Sequence, residues 1–583
     1  MAEELPTGVT SLDGAGILSP QSLRSLLTAF RGYEAALMTN DLDALDRYFA
    51  PGPATLRGDA SGLLVGHDRV SAFRGLRGGV PPRTIVELHL RVLDATSVLV
   101  VSVSAFAKGG TGLQTQLWRR VDASGHELQA GDGGEQVRPD AADWVIAAAH
   151  VTGAAPAVNG AVWRVVGAPL VPARPAESAP SGGGALAGLS VAVKDLYDLA
   201  GYAVGAGVPE FLAEAIPADS DADAVAALRA AGAAVQGIAQ TDEFAYSIAG
   251  RNVHYGTPPN PAVPGAIPGG SSSGPAAAVA LGQAAIGLAT DTAGSIRVPA
   301  SYQGLWGLRT THGSVSARGL LPLAPSFDTV GWLTRSPQTL RAAAAATFAG
   351  APGPTPVRVA GIGPDDRDGD GVAHPGAGAS SALEPRYVVS ADLVSSCAED
   401  VQAAFRATVE HPVFGVVESV DLGDLDAAFA AFRTVQAAEA WRVHGQWVAA
   451  HPGVLGADIA ERFEIASRVT AEEEAEARAE SADARARFDA VLEGRILLLP
   501  SASSAAPALD APADVIAAAR AATLRMTAVA GTGGYPAVSA PVLRVPDPSG
   551  SAPVGLCFVG ARGADLALID LAAGVAEVLR ADS

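Results

Sequence analysis

The stretch from Gly269 to Ala300, GGSSSGPAAAVALGQAAIGLATDTAGSIRVPA, constrains this chain more than any other part of it. It opens on Ser271, Ser272 and Ser273 between glycines, which allow unusual backbone angles and close approach of the chain. An apolar run from Pro275 to Ala289 follows. It falls short of the ~18–20 residues that span a bilayer and is interrupted by Gln283, so it predicts a buried helix leading into a strand. The stretch closes on TDTAGS, Thr290 to Ser295. Small residues there let successive backbone N–H groups point at one place, as an oxyanion hole requires. A serine at the end of such a nest is a natural nucleophile, provided that a base takes its proton. A literal GxSxG, Gly270 to Gly274, offers a competing reading with Ser272 as the nucleophile of an elbow. That motif needs a strand before it and a histidine later, and the preceding residues, NPAVPGAIPGG, read as a loop.

The pattern around this segment is of the α/β type. LSVAVKDLYDLAG reads as a strand entering a polar loop, and DADAVAALRAAGAAVQGIAQ as a helix followed by a buried strand. This alternation predicts a mixed sheet covered by helices. Residues 421–493 are mostly helical in pattern and end in a solvated Glu/Ala/Arg-rich helix with ion-pair spacing. ILLLP and the segment from Met526 to Leu579 return to strand and helix. Upstream, LRSLLTAFRGYEAALMTNDLDALDRYF carries apolar residues at helical spacing, with Asn40 or Asp41 as cap of a second helix. TIVELHLRVL, SVLVVSVSAFA, LQTQLWRRV and DWVIAAAHVT read as strands. The expected organisation is a small α+β domain over 1–152, a Pro/Ser/Gly-rich connector over 153–187 in which VWRVV is a candidate short strand, and an α/β domain over 188–583.

Bulk properties narrow the class. A chain of 583 residues has room for two or more domains, and 49% apolar residues suffice for a large core. With 40 Lys plus Arg against 61 Asp plus Glu, a formal charge of −21, the chain lacks the basic balance of a nucleic-acid binder. Two widely spaced cysteines, Cys397 and Cys557, make neither a disulfide framework nor a zinc site and suit a reducing cytosol. The first residues, MAEELPTGVT, show no secretory signal. Neither a cofactor, a metal nor a membrane is expected. Asp366 to Gly371 mimics the start of an EF-hand loop, but the closing glutamate would fall at Ala377.

On these residues the chain resembles the amidase signature enzymes. Gly269 to Ala300 follows that family's signature through the Gly-Gly-Ser-Ser start, the Asp-x-x-Gly-Ser-Ile-Arg core and the following proline. VAVKDLYD places Lys194 where the family has its catalytic lysine. GRNVHYGTPPNP, GYPAVSAPV and PVGLCFVGARGAD match further family segments. Within the family, the segments from EFAYSIAG to YQGLWGLR look most like the indole-acetamide hydrolase group and its plastid-receptor relatives. The resemblance implies a Ser295 nucleophile, a relay serine at Ser271 that normally follows a cis peptide bond, and Lys194 as general base. It also implies oxyanion N–H groups from Thr292, Ala293 and Gly294 with Ser295 itself. Ala293 departs from the glycine that many relatives carry, and fits only if its backbone keeps negative φ. A lysine acts as base only when neutral, which burial favours. Asp291 and Arg297 read as loop-holding residues. His254, His312 and His444 read as satisfied polar groups, and Trp441, Trp447 and Phe463 as core.

The N-terminal part resembles the SnoaL-like cone-fold family, the AtzH group in particular, through FRGYEAAL, TLRG, VGHDRVSAFR, QTQLW and WVIAAAHVT. That group is associated with cyanuric-acid breakdown and 1,3-dicarboxyurea. The resemblance puts Tyr33 and Arg57 at its proposed active positions, where an arginine beside a tyrosine can hold a carboxylate. Such a domain also suits an inert or oligomerising role, with a homodimer formed through it.

The expected function is hydrolysis of a small-molecule amide through an acyl-enzyme, releasing ammonia or an amine. Two substrate classes stay open: an arylacetamide-like amide, and a urea-like carboxylated amide of the carboxybiuret or dicarboxyurea type with the N-terminal domain as a second active site. A non-catalytic amidase-fold scaffold would have lost the lysine and serines. An ammonia-donating transamidation subunit fits poorly with the fused N-terminal domain.

Overall fold

The computed structural model describes residues 8–59, 62–77, 80, 82–106, 111–122, 128, 144–152, 159–174, 184–348, 385–547 and 550–582. The Asp366–Gly371 motif and most of the connector's Pro/Ser/Gly run lie outside them. The chain divides into two compact units, residues 1–158 and 159–583.

In the first unit a seven-stranded sheet, β1 (Ser11–Asp13), β2 (Leu56–Asp59), β3 (Gly62–Val65), β4 (Arg83–Asp94), β5 (Ser97–Phe106), β6 (Thr111–Arg120) and β7 (Trp144–Thr152), has the order β1-β4-β5-β6-β7-β2-β3. The expected helix pair is present, Pro20–Thr39 and Leu42–Arg47. Of the two candidates for the second helix's cap it is Asp41 that serves, its carboxylate accepting from the Ala44 N–H; Asn40 instead ends the first helix at φ 53°. A third helix, His67–Arg77, was not anticipated; it carries few apolar residues, of which Val70 is buried. Alternation along the strands sorts the faces. Leu88, Leu90, Val92, Val98, Val100 and Trp118 point inward. Further along the same face come Ser102, Ser104, Gln114 and Gln116, also buried, so one end of this interior is polar.

The second unit is built on eleven strands: β8 (Trp163–Val171), β9 (Ser190–Lys194), β10 (Ala234–Ala239), β11 (Ile286–Thr290), β12 (Trp306–Arg309), β13 (Val330–Thr334), β14 (Arg386–Val389), β15 (Val417–Ser419), β16 (Arg495–Pro500), β17 (Ala537–Asp547) and β18 (Gly550–Val559). Their order is β15-β14-β16-β18-β17-β12-β13-β11-β9-β10-β8. Strand β8 grows out of VWRVV and extends well into the expected connector. It pairs antiparallel to β10 at the sheet's edge, where Pro169 falls in a gap of the ladder. Three neighbouring strands, β10, β9 and β11, run parallel, in register Ala239↔Lys194 and Leu288↔Val193. They read as continuous apolar runs because helices cover them, and β11 is buried along its whole length. Among the helices, Leu425–Ala450, Ala457–Ser467 and Ala471–Leu492 realise the helical region; the last starts on a capping box between Thr470 and Glu473. No helix among the described residues is long and apolar enough to cross a membrane.

Candidate active site

The parallel register brings the carboxyl ends of three strands to one place. In open α/β sheets that is where ligand sites form, outside the carboxyl ends of the strands. Strand β9 ends on Lys194, β11 on Thr290, and β10 continues into Thr241 and Asp242. Across this edge lies the serine loop. Its Gly270–Ser271 peptide is cis. The Ser271 carbonyl accepts from the Thr241 hydroxyl at 2.9 Å. Asp242 accepts from the Gly250 N–H at 2.9 Å and from the Ser273 hydroxyl at 3.2 Å. Gly270 is required here, since a Cβ would sit 2.4 Å from Asp242 Oδ2.

Lys194 is fully buried and its Nζ reaches three hydroxyls: Ser271 Oγ at 2.8 Å, Ser272 Oγ at 3.0 Å and Thr290 Oγ1 at 2.8 Å. Ser271 Oγ in turn lies 3.0 Å from Ser295 Oγ. The three residues singled out in the sequence thus form one hydrogen-bonded chain. Burial pushes the Lys194 ammonium down to about 7, against the carboxylates of Asp242, Asp328 and Asp291, which favour its charged form. Burial likewise raises the Asp242 carboxyl to about 6, opposed by the Gly250 N–H and by Lys194.

The loop carrying Ser295 is held from behind by Asp291. Its carboxylate accepts from the N–H groups of Gly294, Ile296 and Arg297, and from the Arg297 and Arg309 guanidiniums, all out of solvent. Burial alone would raise this carboxyl; the two arginines and the N–H groups hold it well below the usual carboxylate range. Asp291 and Arg297 are thus mutually committed rather than presented to a ligand. Gly294 departs from the expectation: its N–H donates to Asp291 Oδ1 at 2.8 Å and is not free for an oxyanion. Its φ of 125° shapes the turn instead, a conformation that glycine alone adopts easily. Thr292, Ala293 and Ser295 keep N–H groups with no acceptor among the described residues. Ala293 is absent from the positive-φ residues, so alanine fits there.

Sequence reasoning missed several neighbours. Thr290 and Ser272 are the other partners of Lys194; their signal was only their position at the end of β11 and beside Ser271. Thr527, on the Ala513–Gly533 helix, donates its hydroxyl to the Ala293 carbonyl, and its own carbonyl accepts from Arg297 at 2.9 Å. A sequence separation of 234 residues hides such a contact. His254, His312 and His444 are hydrogen-bonded to Glu243, Pro325 and Pro322, as their reading implied. Trp447 and Phe463 pack around Phe244. Among the described residues no cluster of His, Cys, Asp or Glu is arranged to hold a metal.

Residues 150–569 match the family model described as Amidase. The chain belongs to the amidase family. Residues 16–131 match the AtzH-like model, so the first unit is an AtzH-like domain. "Amidase 1" of Arabidopsis thaliana is 33% identical over 437 residues, covering 69% of this chain and 95% of that one. "Amidase 1" of rice, Oryza sativa subsp. japonica, is 48% identical over 171 residues, which are 29% of this chain and only 38% of the rice protein. A solved structure from work on the evolutionary origins of an s-triazine catabolic enzyme is similar at TM-score 0.58 and 29% identity, over 68% of this chain and 85% of that one. With family and fold agreeing, this chain is an amide-hydrolysing enzyme of the amidase family.

Proposed function

We propose that the chain hydrolyses carboxamides through an acyl-enzyme on Ser295, with Ser271 as proton relay and Lys194 as base. The observation that carries this reading is the continuous path from Ser295 Oγ through Ser271 Oγ to a buried Lys194 Nζ. A neutral amine has two N–H groups and one lone pair. Ser272 and Thr290 take the N–H groups. Ser272 suits this, since its own hydroxyl donates to the Thr290 carbonyl at 3.3 Å. The lone pair then faces Ser271. Ser295 Oγ attacks the carbonyl carbon while its proton passes to Ser271 and the Ser271 proton to Lys194. The N–H groups of Thr292, Ala293 and Ser295 hold the oxyanion. On collapse the C–N bond breaks, and the lysine proton returns through Ser271 to the departing amine or ammonia. Water, deprotonated along the same path, cleaves the ester and leaves the carboxylate. The test is ammonia release from a panel of primary amides. Ser295→Ala and Lys194→Ala are each expected to lower kcat by roughly 10⁴-fold or more, and the double variant little further, because residues acting as a unit are not additive. Activity that survives Ser295→Ala removes the assignment.

A second reading concerns the AtzH-like domain: its interior binds a small carboxylate. Tyr33 and Arg57 do share one buried region, with Arg74, which the sequence reading passed over. Burial raises the Tyr33 hydroxyl, and Arg74, Arg83 and Arg57 pull it back. Arg57 is already paired with Asp59 at 2.7 Å, whereas Arg74 Nη2 is buried without a partner. Arg74 Nη1 already pairs with Asp46 at 3.7 Å and donates to the Leu45 carbonyl at 3.1 Å, so Nη2 is the one free donor that an anion here would engage. Turnover of dicarboxyurea-type compounds is expected to fall on Arg57→Ala; an unchanged rate rules out a catalytic Arg57.

A further inference from the structure

The space beside Ser295 is lined by Ala293, Tyr246, Gln436, Leu524 and Arg520 among others, and Arg520 is its only charged side chain. Tyr246, Gln436, Leu524 and Arg520 also line an adjoining cavity, which adds Arg433 and Arg462 and no acidic residue. Three arginines therefore line two adjoining spaces, with Arg520 shared between them and facing the one beside Ser295, in a chain that carries 61 acidic residues against 40 basic ones. Two of the three, Arg433 and Arg520, make no ion pair among the described residues. Arg462 donates to the Tyr246 carbonyl and pairs with Asp458 at 3.2 Å. Arg433 lies over the Phe429 ring, 5.8 Å from its centroid. Arg520 makes no ion pair among the described residues, and its Nε is buried with no hydrogen-bond partner. Arg520 is half-buried with its Nε out of solvent; a partly desolvated cation without an ion-pair partner is costly, and a ligand carboxylate set against it would supply the counter-charge. Burial, followed by the repulsion of Arg462 and Arg433 and opposed by Tyr246 and the Asp458 carboxylate, lowers the Arg520 guanidinium to about 9, so it stays charged at neutral pH and gains from an anion placed against it.

The helix explains the placement. Residues 520, 524, 527 and 531 follow helical spacing along one face of Ala513–Gly533. Thr527 holds the Ala293 carbonyl, and a Cβ on Gly531 would come 3.3 Å from the Thr292 carbonyl oxygen. The face that buttresses the Ser295 loop thus carries Arg520 two turns further on, roughly 10 Å along the axis from Thr527.

We propose that Arg520 is a specificity-determining residue that binds the carboxylate of a small amide whose amide carbonyl lies at Ser295, so that the substrates of this site are carboxylate-bearing amides. The planar fork of a guanidinium suits two parallel hydrogen bonds to a carboxylate, which a neutral side chain cannot supply. This deepens the Ser295 reading and rests on it.

The experiment compares kcat/KM, in the full chain, for malonamate, succinamate, glutaramate, N-acetylglycine and N-acetyl-β-alanine, each beside the neutral amide in which isopropyl replaces the carboxylate. At least one carboxylated amide is expected to exceed its neutral partner by about 10²-fold. Arg520→Gln is expected to collapse that ratio by about 10²-fold, chiefly through KM, and Arg520→Lys to retain part of it. Turnover of the neutral partner reports that the variant is folded. Ser295-dependent turnover with no preference for any carboxylated amide, or equal losses on both partners in Arg520→Gln, overturns the proposal and leaves the Ser295 reading standing. Turnover that persists in Ser295→Ala overturns both. If no probe is hydrolysed, calorimetric titration with glutarate decides: binding abolished by Arg520→Gln supports the proposal, and no binding to the wild type overturns it.

Discussion

Lys194 is charged in water and neutral near its task, and burial is the cause. In the proposed mechanism the working form is the deprotonated one, so the sign is fixed: below the titration point near 7 the base is lost, above it the base is present. kcat/KM is expected to rise about tenfold per pH unit below pH 7 and to level off above it. Asp242, raised to about 6 and acting on Lys194, titrates on the same limb, so the apparent value belongs to the pair. A pH–rate series from 5 to 9 checks this; a flat profile counts against a lysine base. At this scale much was legible. Ser295 stands out as the serine closing a nest of small residues, and the resemblance to the amidase signature enzymes adds Lys194 and Ser271. What was not legible is hydrogen-bond direction: that the Gly294 N–H turns back to Asp291, and that Thr290 joins Ser272 around Nζ, depends on where backbone turns aim atoms.

At the scale of elements, the Ala513–Gly533 helix is the back wall of the site. Its Thr527 hydroxyl bonds the carbonyl of Ala293, whose N–H has no acceptor among the described residues and is proposed to hold the oxyanion. Thr527→Val keeps the shape and removes the donor. It is expected to lower kcat by about tenfold with little change in KM, and to cost about 1–3 kcal/mol for the buried carbonyl left unpaired. Steady-state kinetics beside thermal unfolding checks this; a stability loss with unchanged kcat makes Thr527 a packing residue only. The sequence reading placed strand and helix after Met526 without this contact. Apolar periodicity tells which face of a helix is buried, and says nothing of what it is buried against. The same limit applies to β8, whose valines were visible while its pairing with β10 was not, and to His67–Arg77, too polar to announce itself as a helix.

At the scale of the whole molecule there are two units, each with its own core: one around Trp118 and Phe30, one around Trp332, Phe432 and Phe463. Arg57→Ala therefore tests the AtzH-like domain by itself. Its expected loss on dicarboxyurea-type compounds comes with Ser295-dependent amide turnover retained, and a loss of both activities would tie the units together functionally. The sequence by itself determined the class of both units and, through its resemblance to a family, the family of the larger one and the three residues that lie in one hydrogen-bonded chain. Those are local properties: strand and helix periods, glycines where the backbone must bend sharply, and a serine-lysine motif written in short segments. Tertiary structure alone decided the rest. It brought the ends of β9, β10 and β11 together, buried Lys194 deeply enough to lower its proton affinity, and placed Arg520 on the wall that faces Ser295. Burial and uncompensated charge depend on everything packed around a residue, and most of that is distant in the chain.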